Sequence, residues 1–294
     1  MTAYKLLAAP FVDYGFMRRA LVACMAIAIG SAPVGVLLVL RRMSLVGDAM
    51  AHALLPGAAL GFVMAGFSLW AMSLGGFVAA LAVALAAGWL TRRTAQREDA
   101  SFTALYLIAL AAGVMLVSSE GSSVDLMHVL FGSILAVDDA ALLLVAGVAS
   151  ASLLLLAYAY RPLLAECVDP GFLRHVGGPR GPGARAHALL LVLAVANLVA
   201  GFAALGTLMA VGLMMLPATA ARFWAARVGP QMLAAALIAL LSGVVGLLIS
   251  YHHQQASGPA IVLVAGGLYG LSLLFGTREG LVWQALRRQR HRTA

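Results

Sequence analysis

Asp48 and His52 stand four residues apart in the stretch Arg41–Gly57, RRMSLVGDAMAHALLPG, just after an arginine pair. Four residues is about one helical turn, so on a helix the carboxylate and the imidazole project from one face, one above the other. A helix that opens after Arg42 at the cytosolic interface sets Asp48 about 9 Å and His52 about 15 Å into the membrane at ~1.5 Å per residue. His52 then falls near the middle of a hydrocarbon core about 30 Å thick. Charged and polar groups at that depth are costly unless they are paired, solvated or bound to a cation. Carboxylate oxygen plus imidazole nitrogen suits Zn²⁺, and also Mn²⁺ or Fe²⁺, but poorly suits K⁺ or a sugar. One chain supplies two such ligands, and a homodimer with the two helices face to face would supply four. Pro56 would loosen the helix and free backbone carbonyls beside the pair. The same two residues also read as a proton relay, or as plain hydrogen-bonding partners of neighbouring helices.

Other histidines and carboxylates are weaker candidates. The longest outer loop carries Glu120, Asp125, Asp138 and Asp139 without a basic residue, which raises the local cation concentration. His128 lies one turn from Asp125, and Asp125, His128 and Glu120 are together a possible entry path for a metal ion. His252 and His253 end an apolar span at the outer surface and read as its polar cap. His175, His187 and His291 lie in basic cytosolic stretches and are expected at the surface.

The cytosolic loop 161–185 holds a second patterned segment, ECVDPGFLRHVGG. Asp169 reads as an N-cap, Pro170 as the first helical residue, and Gly177 or Gly178 as the stop. Phe172, Leu173 and Val176 give this short helix an apolar side, fit for docking a cytosolic partner or for lying on the membrane.

These candidates need a frame, and composition supplies one. Of 294 residues, 63% are hydrophobic and 10% charged, with a mean hydropathy of +0.99. Soluble domains are far more charged. Apolar runs at 16–40, 46–70, 71–91, 102–118, 138–160, 186–204, 205–225, 231–251 and 258–276 are helix-length rather than barrel-strand length. The expected fold is all-α, a polytopic transmembrane bundle of about 8–9 spans forming one domain over 1–294. Two pairs of runs abut almost without a loop, and Leu126–Val137 is too short to cross, so it is expected to re-enter or lie in the interface. Placing the loop at 91–101 inside leaves 16 of the 19 basic residues cytosolic, with only Lys5, Arg18 and Arg19 outside. The N-terminus is then outside and the C-terminus cytosolic. The net charge of +8 is this positive-inside bias, not a nucleic-acid signal, and the arginine-rich stretch 286–292 of the basic cytosolic tail 277–294 is expected against anionic lipid headgroups of the bilayer.

Several activities are excluded. Lys5 is the single lysine, so the chain has no phosphate-loop GxxxxGK[ST] and cannot bind ATP that way. HExxH and GxSxG are absent. Cys24 and Cys167 make no CxxC, and neither a disulfide nor a thiolate metal site is expected. The first residues show no cleavable signal pattern, and no nucleophile–base constellation marks an enzyme.

Taken in order, five segments resemble the permease subunit of zinc/manganese/iron-type ABC importers. They are LRRMSLVGDAMAHALLPGAALGF, DLMHVLFGSILAV, VDPGFLRHVGG, GTLMAVGLMMLPATAARFW and LSGVVGLLISYHHQQASGPAIVLVAG. The resemblance runs nearly end to end, and its GDxxxHxxxPG element is its most specific part. It implies a homodimer of permeases in the bacterial cytoplasmic (inner) membrane, two cytosolic ATP-binding subunits and an extracytoplasmic metal-binding protein. It implies no permanently bound cofactor, only the transported ion, with Zn²⁺ expected ahead of Mn²⁺ or Fe²⁺. It maps Asp48 and His52 onto the metal motif, and Asp169, Pro170, Phe172, Leu173 and Arg174 onto the element that couples to the ATPase. A proton-coupled secondary transporter, or an ABC permease for a chelated metal or a vitamin, stays open as an alternative.

Overall fold

The structure is a computed structural model that describes residues 8–66, 68–94, 98–119, 137–177 and 181–284. The described chain is nearly all helical, with no strand among these residues. In chain order the helices are α1 (Ala9–Asp13), α2 (Gly15–Leu40), α3 (Ser44–Ala65), α4 (Leu69–Arg93), α5 (Glu98–Ser119) and α6 (Asp139–Tyr158). There follow α7 (Tyr160–Val168), α8 (Pro170–Gly177), α9 (Pro182–Leu205), α10 (Thr207–Ala221), α11 (Val228–His253) and α12 (Ser257–Phe275). Seven of them, α2, α3, α4, α6, α9, α11 and α12, are long and apolar enough to cross a membrane. Shorter apolar helices occupy Ala100–Leu116 and Thr207–Ala221, where two further spans were expected.

Abutting spans are separated by one to three residues that include a glycine with positive φ. Gly66 (φ 64°) ends α3, and Gly206 (φ 86°) separates α9 from α10; only glycine enters this region freely. The α2–α3 link is tighter still. The Arg42 amide donates to the Val39 carbonyl and the Met43 amide to the Leu38 carbonyl, a helix-ending wrap that needs a left-handed residue. Arg42 fills that place at φ 62°, although a residue with a Cβ pays about 1–2 kcal/mol there. α3 therefore starts directly under the end of α2, held by a backbone clamp.

α2 is the central helix. Its span is 78% buried within the chain, against 22% for α4 and 28% for α6 and α12. Two ion pairs fix its direction relative to α6 and α7. Arg19, near its start, pairs with Asp139 at the start of α6 (3.7 Å), and Arg41, just past its end, pairs with Glu166 in α7. α2 and α6 therefore run parallel, with Arg19 and Asp139 at one end of the bundle and Arg41 and Glu166 at the other. Inside, Asn197 of α9 donates to the Ser152 hydroxyl of α6 at 2.7 Å and to the Leu193 carbonyl at 2.8 Å. Such buried amides join helices where apolar contact alone gives little orientation. α3 and α4 touch through their backbones: a Cβ at Gly57 would sit 2.0 Å from the Gly75 carbonyl oxygen, and one at Gly75 would sit 2.2 Å from that of Gly57.

Candidate metal site

Asp48 and His52 lie on α3 as their spacing predicts, with His52 Nε2 3.7 Å from Asp48 Oδ1. The glycine face of α3 is spent on packing, since Gly47 meets Met215 of α10 while Gly57 meets α4. The pair occupies a different side. The Asp48 side chain is 61% exposed and that of His52 35% exposed, so the bundle of one chain does not cover them. α5 runs alongside in the same direction and backs the site. Tyr106 stacks on the His52 ring at 6.0 Å between centroids and 25° between planes, which limits how the imidazole can turn. Further along, Gly113 lies against Pro56, where an added Cβ would come within 2.8 Å of the Pro56 Cα.

α3 continues through Pro56 without a break. Proline lacks the N–H that would otherwise bond the carbonyl four residues earlier, which is the carbonyl of His52 itself. The carboxylate oxygen and imidazole nitrogen one turn apart are donor types that suit a hard or borderline divalent cation. Among the described residues no group of three or more His, Cys, Asp and Glu side chains could hold a metal. The expected entry residues Glu120, Asp125 and His128, and the short segment Leu126–Val137 except its last residue, lie outside the described residues. His252 and His253 are the last residues of α11 and are exposed, with the Tyr251 and His252 rings 5.3 Å apart.

At the other end of the bundle, the loop segment is two helices rather than one. Glu166 and Cys167 belong to α7, and α8 begins at Pro170 with the Phe172 amide donating to Asp169 Oδ1 at 2.9 Å, as the N-cap reading requires. Phe172 is 61% exposed, whereas Leu173 turns inward against α9, its Cβ 2.9 Å from where a Gly183 Cβ would stand. Arg174 lies on α8, but its side chain is not among those described. Sequence reasoning missed the contact behind α8: the Glu166 side chain (3% exposed) accepts a hydrogen bond from Arg41 (6% exposed). Burial pushes the adjacent Cys167 thiol up to about 11, the Arg41 guanidinium opposing and the Glu166 carboxylate adding. His187 is a correction. It was expected at the surface, yet it is 5% exposed. The physical reason is that α9 starts at Pro182, before the apolar run, so Gly183, Ala186, His187 and Leu190 form one buried stripe at helical spacing.

A bundle with seven helices long and apolar enough to cross a membrane, and an exposed capped helix on a loop, is the architecture of a multi-pass membrane protein. Comparison with known proteins sharpens that class. The ABC 3 transport family matches residues 13–276, and the chain belongs to that family. It is 31% identical over 280 residues to the manganese transport system membrane protein MntC of Halalkalibacterium halodurans, covering 95% of this chain and 94% of MntC. The chelated iron transport system membrane protein YfeD of Yersinia pestis is 32% identical, over 92% of this chain and 89% of YfeD. Among solved structures, PsaBC from Streptococcus pneumoniae in complex with Fab aligns with a TM-score of 0.80 at 30% identity, over 93% of this chain and 98% of that one. The chain is thus a multi-pass permease of the bacterial inner membrane.

Proposed function

We propose that this chain is the permease subunit of an ATP-driven importer that moves a divalent transition-metal ion inward by alternating access, with Asp48 and His52 ligating the ion midway. The observation that carries the reading is the Asp48–His52 pair itself, 3.7 Å apart on a membrane-length helix and left uncovered by its own bundle. A half-exposed carboxylate on such a helix cannot face lipid without a large cost, so it faces an aqueous path or another chain. A second copy of the chain is the natural occupant, because two facing pairs would complete a four-ligand site.

The rest of the assembly follows from the family. Two cytosolic ATP-binding subunits would dock on α8, where Phe172 is presented and Asp169 and Pro170 fix the helix start, and ATP hydrolysis would occur there and not in this chain. An extracytoplasmic metal-binding protein would deliver the ion, with Glu120, Asp125 and His128 on its path, and the N-terminus would lie outside and the C-terminus inside. For the cargo, Zn²⁺ is the sequence expectation, whereas the relatives' names speak for manganese and chelated iron. The donor pair takes all three divalent ions, since geometry and availability decide selectivity.

The test is uptake of Zn²⁺, Mn²⁺ and Fe²⁺ by cells carrying the full transporter, comparing wild type with Asp48→Ala and His52→Ala at equal membrane expression. Loss of one metal's uptake in both variants supports the site and names the cargo. Normal uptake in both would make the pair structural and move a chelated cargo to the front.

A further inference from the structure

The buried pair at the cytosolic end joins the two parts of the molecule that the proposed function needs to connect. Arg41 lies in the three-residue link from α2 to α3, directly before the helix that carries Asp48 and His52. Glu166 lies on α7, three residues before Asp169, the cap of the docking helix α8. The two side chains meet across 125 positions of sequence, 6% and 3% exposed. The Arg41 guanidinium also reaches the Glu166 carbonyl oxygen at 3.5 Å. Burying an ion pair is a weak way to gain stability, because desolvation offsets most of the attraction. What it gains is direction: a charge-assisted hydrogen bond fixes one arrangement where apolar contacts could slide.

Both ends of this contact are held by backbone geometry and close packing. On one side, the left-handed Arg42 and the buried Met43 lock α3 to the end of α2, so a displacement of Arg41 carries the start of α3 with it. On the other, Glu166 and Leu173 converge on Gly183 at the start of α9, where a Cβ would come within 3.0 Å of Glu166 Oε2 and 2.9 Å of the Leu173 Cβ. Beside α7 lies a cleft of about 470 Å³, lined in part by Tyr158, Pro162, Pro182 and Arg185. Glu166 Oε2 has no hydrogen-bond partner among the described residues although it is buried.

We propose that the buried Arg41–Glu166 pair is a positioning strut that transmits movement of α7 and α8 to the start of α3, and so to Asp48 and His52. The inference rests on the reading of the chain as an ATP-driven importer. Neither residue touches the ion; both act through the helices they hold.

The experiment uses the complete transporter in proteoliposomes, supplied with its metal-binding protein and the metal found in the uptake assay, and reads ions imported per ATP hydrolysed. Wild type must import only with ATP; ATP-independent import would overturn the importer reading itself, whatever the pair does. The informative variant is the double substitution Arg41→Met with Glu166→Leu. Replacing both members of a buried pair by apolar residues of similar size tends to preserve or raise stability, so the protein should accumulate. The strut predicts that ions per ATP fall about tenfold in this variant, the usual scale of a coupling between sites, while ATP hydrolysis continues. Glu166→Gln, which keeps the shape and removes the charge, should shift the ratio in the same direction and carries the test if the double variant fails to assemble. An unchanged ratio in whichever variant assembles would overturn the proposal, as would uptake and hydrolysis falling together with thermal stability.

Discussion

Asp48 and Glu166 are both carboxylates beside a basic side chain, and their surroundings treat them in opposite ways. Asp48 is 61% exposed and stands 3.7 Å from an imidazole that is itself part open. Glu166 is 3% exposed and bonded to a guanidinium that cannot lose its proton at any working pH. The first pair is loose and uncovered, and its donors are of types that can ligate a metal, so the proposed function would let a cation enter it and leave. The second is sealed between α2, α7 and the start of α9, and its cationic member is permanent, so there is nothing to exchange. On the proposed function, similar chemistry would serve as cargo site in one place and as framework in the other, with burial making the difference.

That contrast can be broken at several points. The largest effect is expected for Arg41→Ala, which strands a buried carboxylate and should cost about 3–5 kcal/mol, read as a drop in thermal stability of the purified permease. Asp48→Ala, at an open position, should stay within about 0.5 kcal/mol of wild type. Equal losses in the two variants would erase the contrast. A second check uses Cys167, whose thiol is pushed up to about 11. At pH 8 only about one thiol in a thousand is then ionised, so a membrane-permeant maleimide should label the folded chain at least ~100-fold more slowly than the denatured one. Rapid labelling would mean that the region is not sealed. Gly183→Ala pushes a methyl group into Leu173 and Glu166 and should cost about 1–3 kcal/mol, measured by the same unfolding assay. Asp169→Ala should cost less, about 1 kcal/mol from the lost cap. It should appear as weaker association with the ATP-binding subunit at nearly unchanged global stability.

The parts of the fold legible in the sequence are those with local signals. Apolar run lengths located the helices, and Gly66 and Gly206 mark the breaks where abutting runs had no loop. The i, i+4 spacing put Asp48 and His52 on one face, and Asp-Pro followed by Gly fixed both ends of α8. The Arg41–Glu166 contact had no such signal, because residues 125 apart meet only through the packing of α2 against α7. Tyr106 was invisible for the same reason: nothing in an apolar span says which aromatic will stack on a histidine of another helix. His187 was misplaced because a basic, glycine-rich stretch looks like surface until the helix start at Pro182 brings it into the buried stripe.

In the proposed function Asp48 and His52 hold the transported ion and a second copy of the chain completes the site. Equilibrium metal binding to the purified permease, with metal and protein quantified together, tests it most directly. That arrangement predicts about one divalent ion per two chains, as a four-ligand site shared by two facing pairs requires, and none in the Asp48→Ala, His52→Ala double variant. One ion per chain, or binding that survives the double substitution, would contradict it.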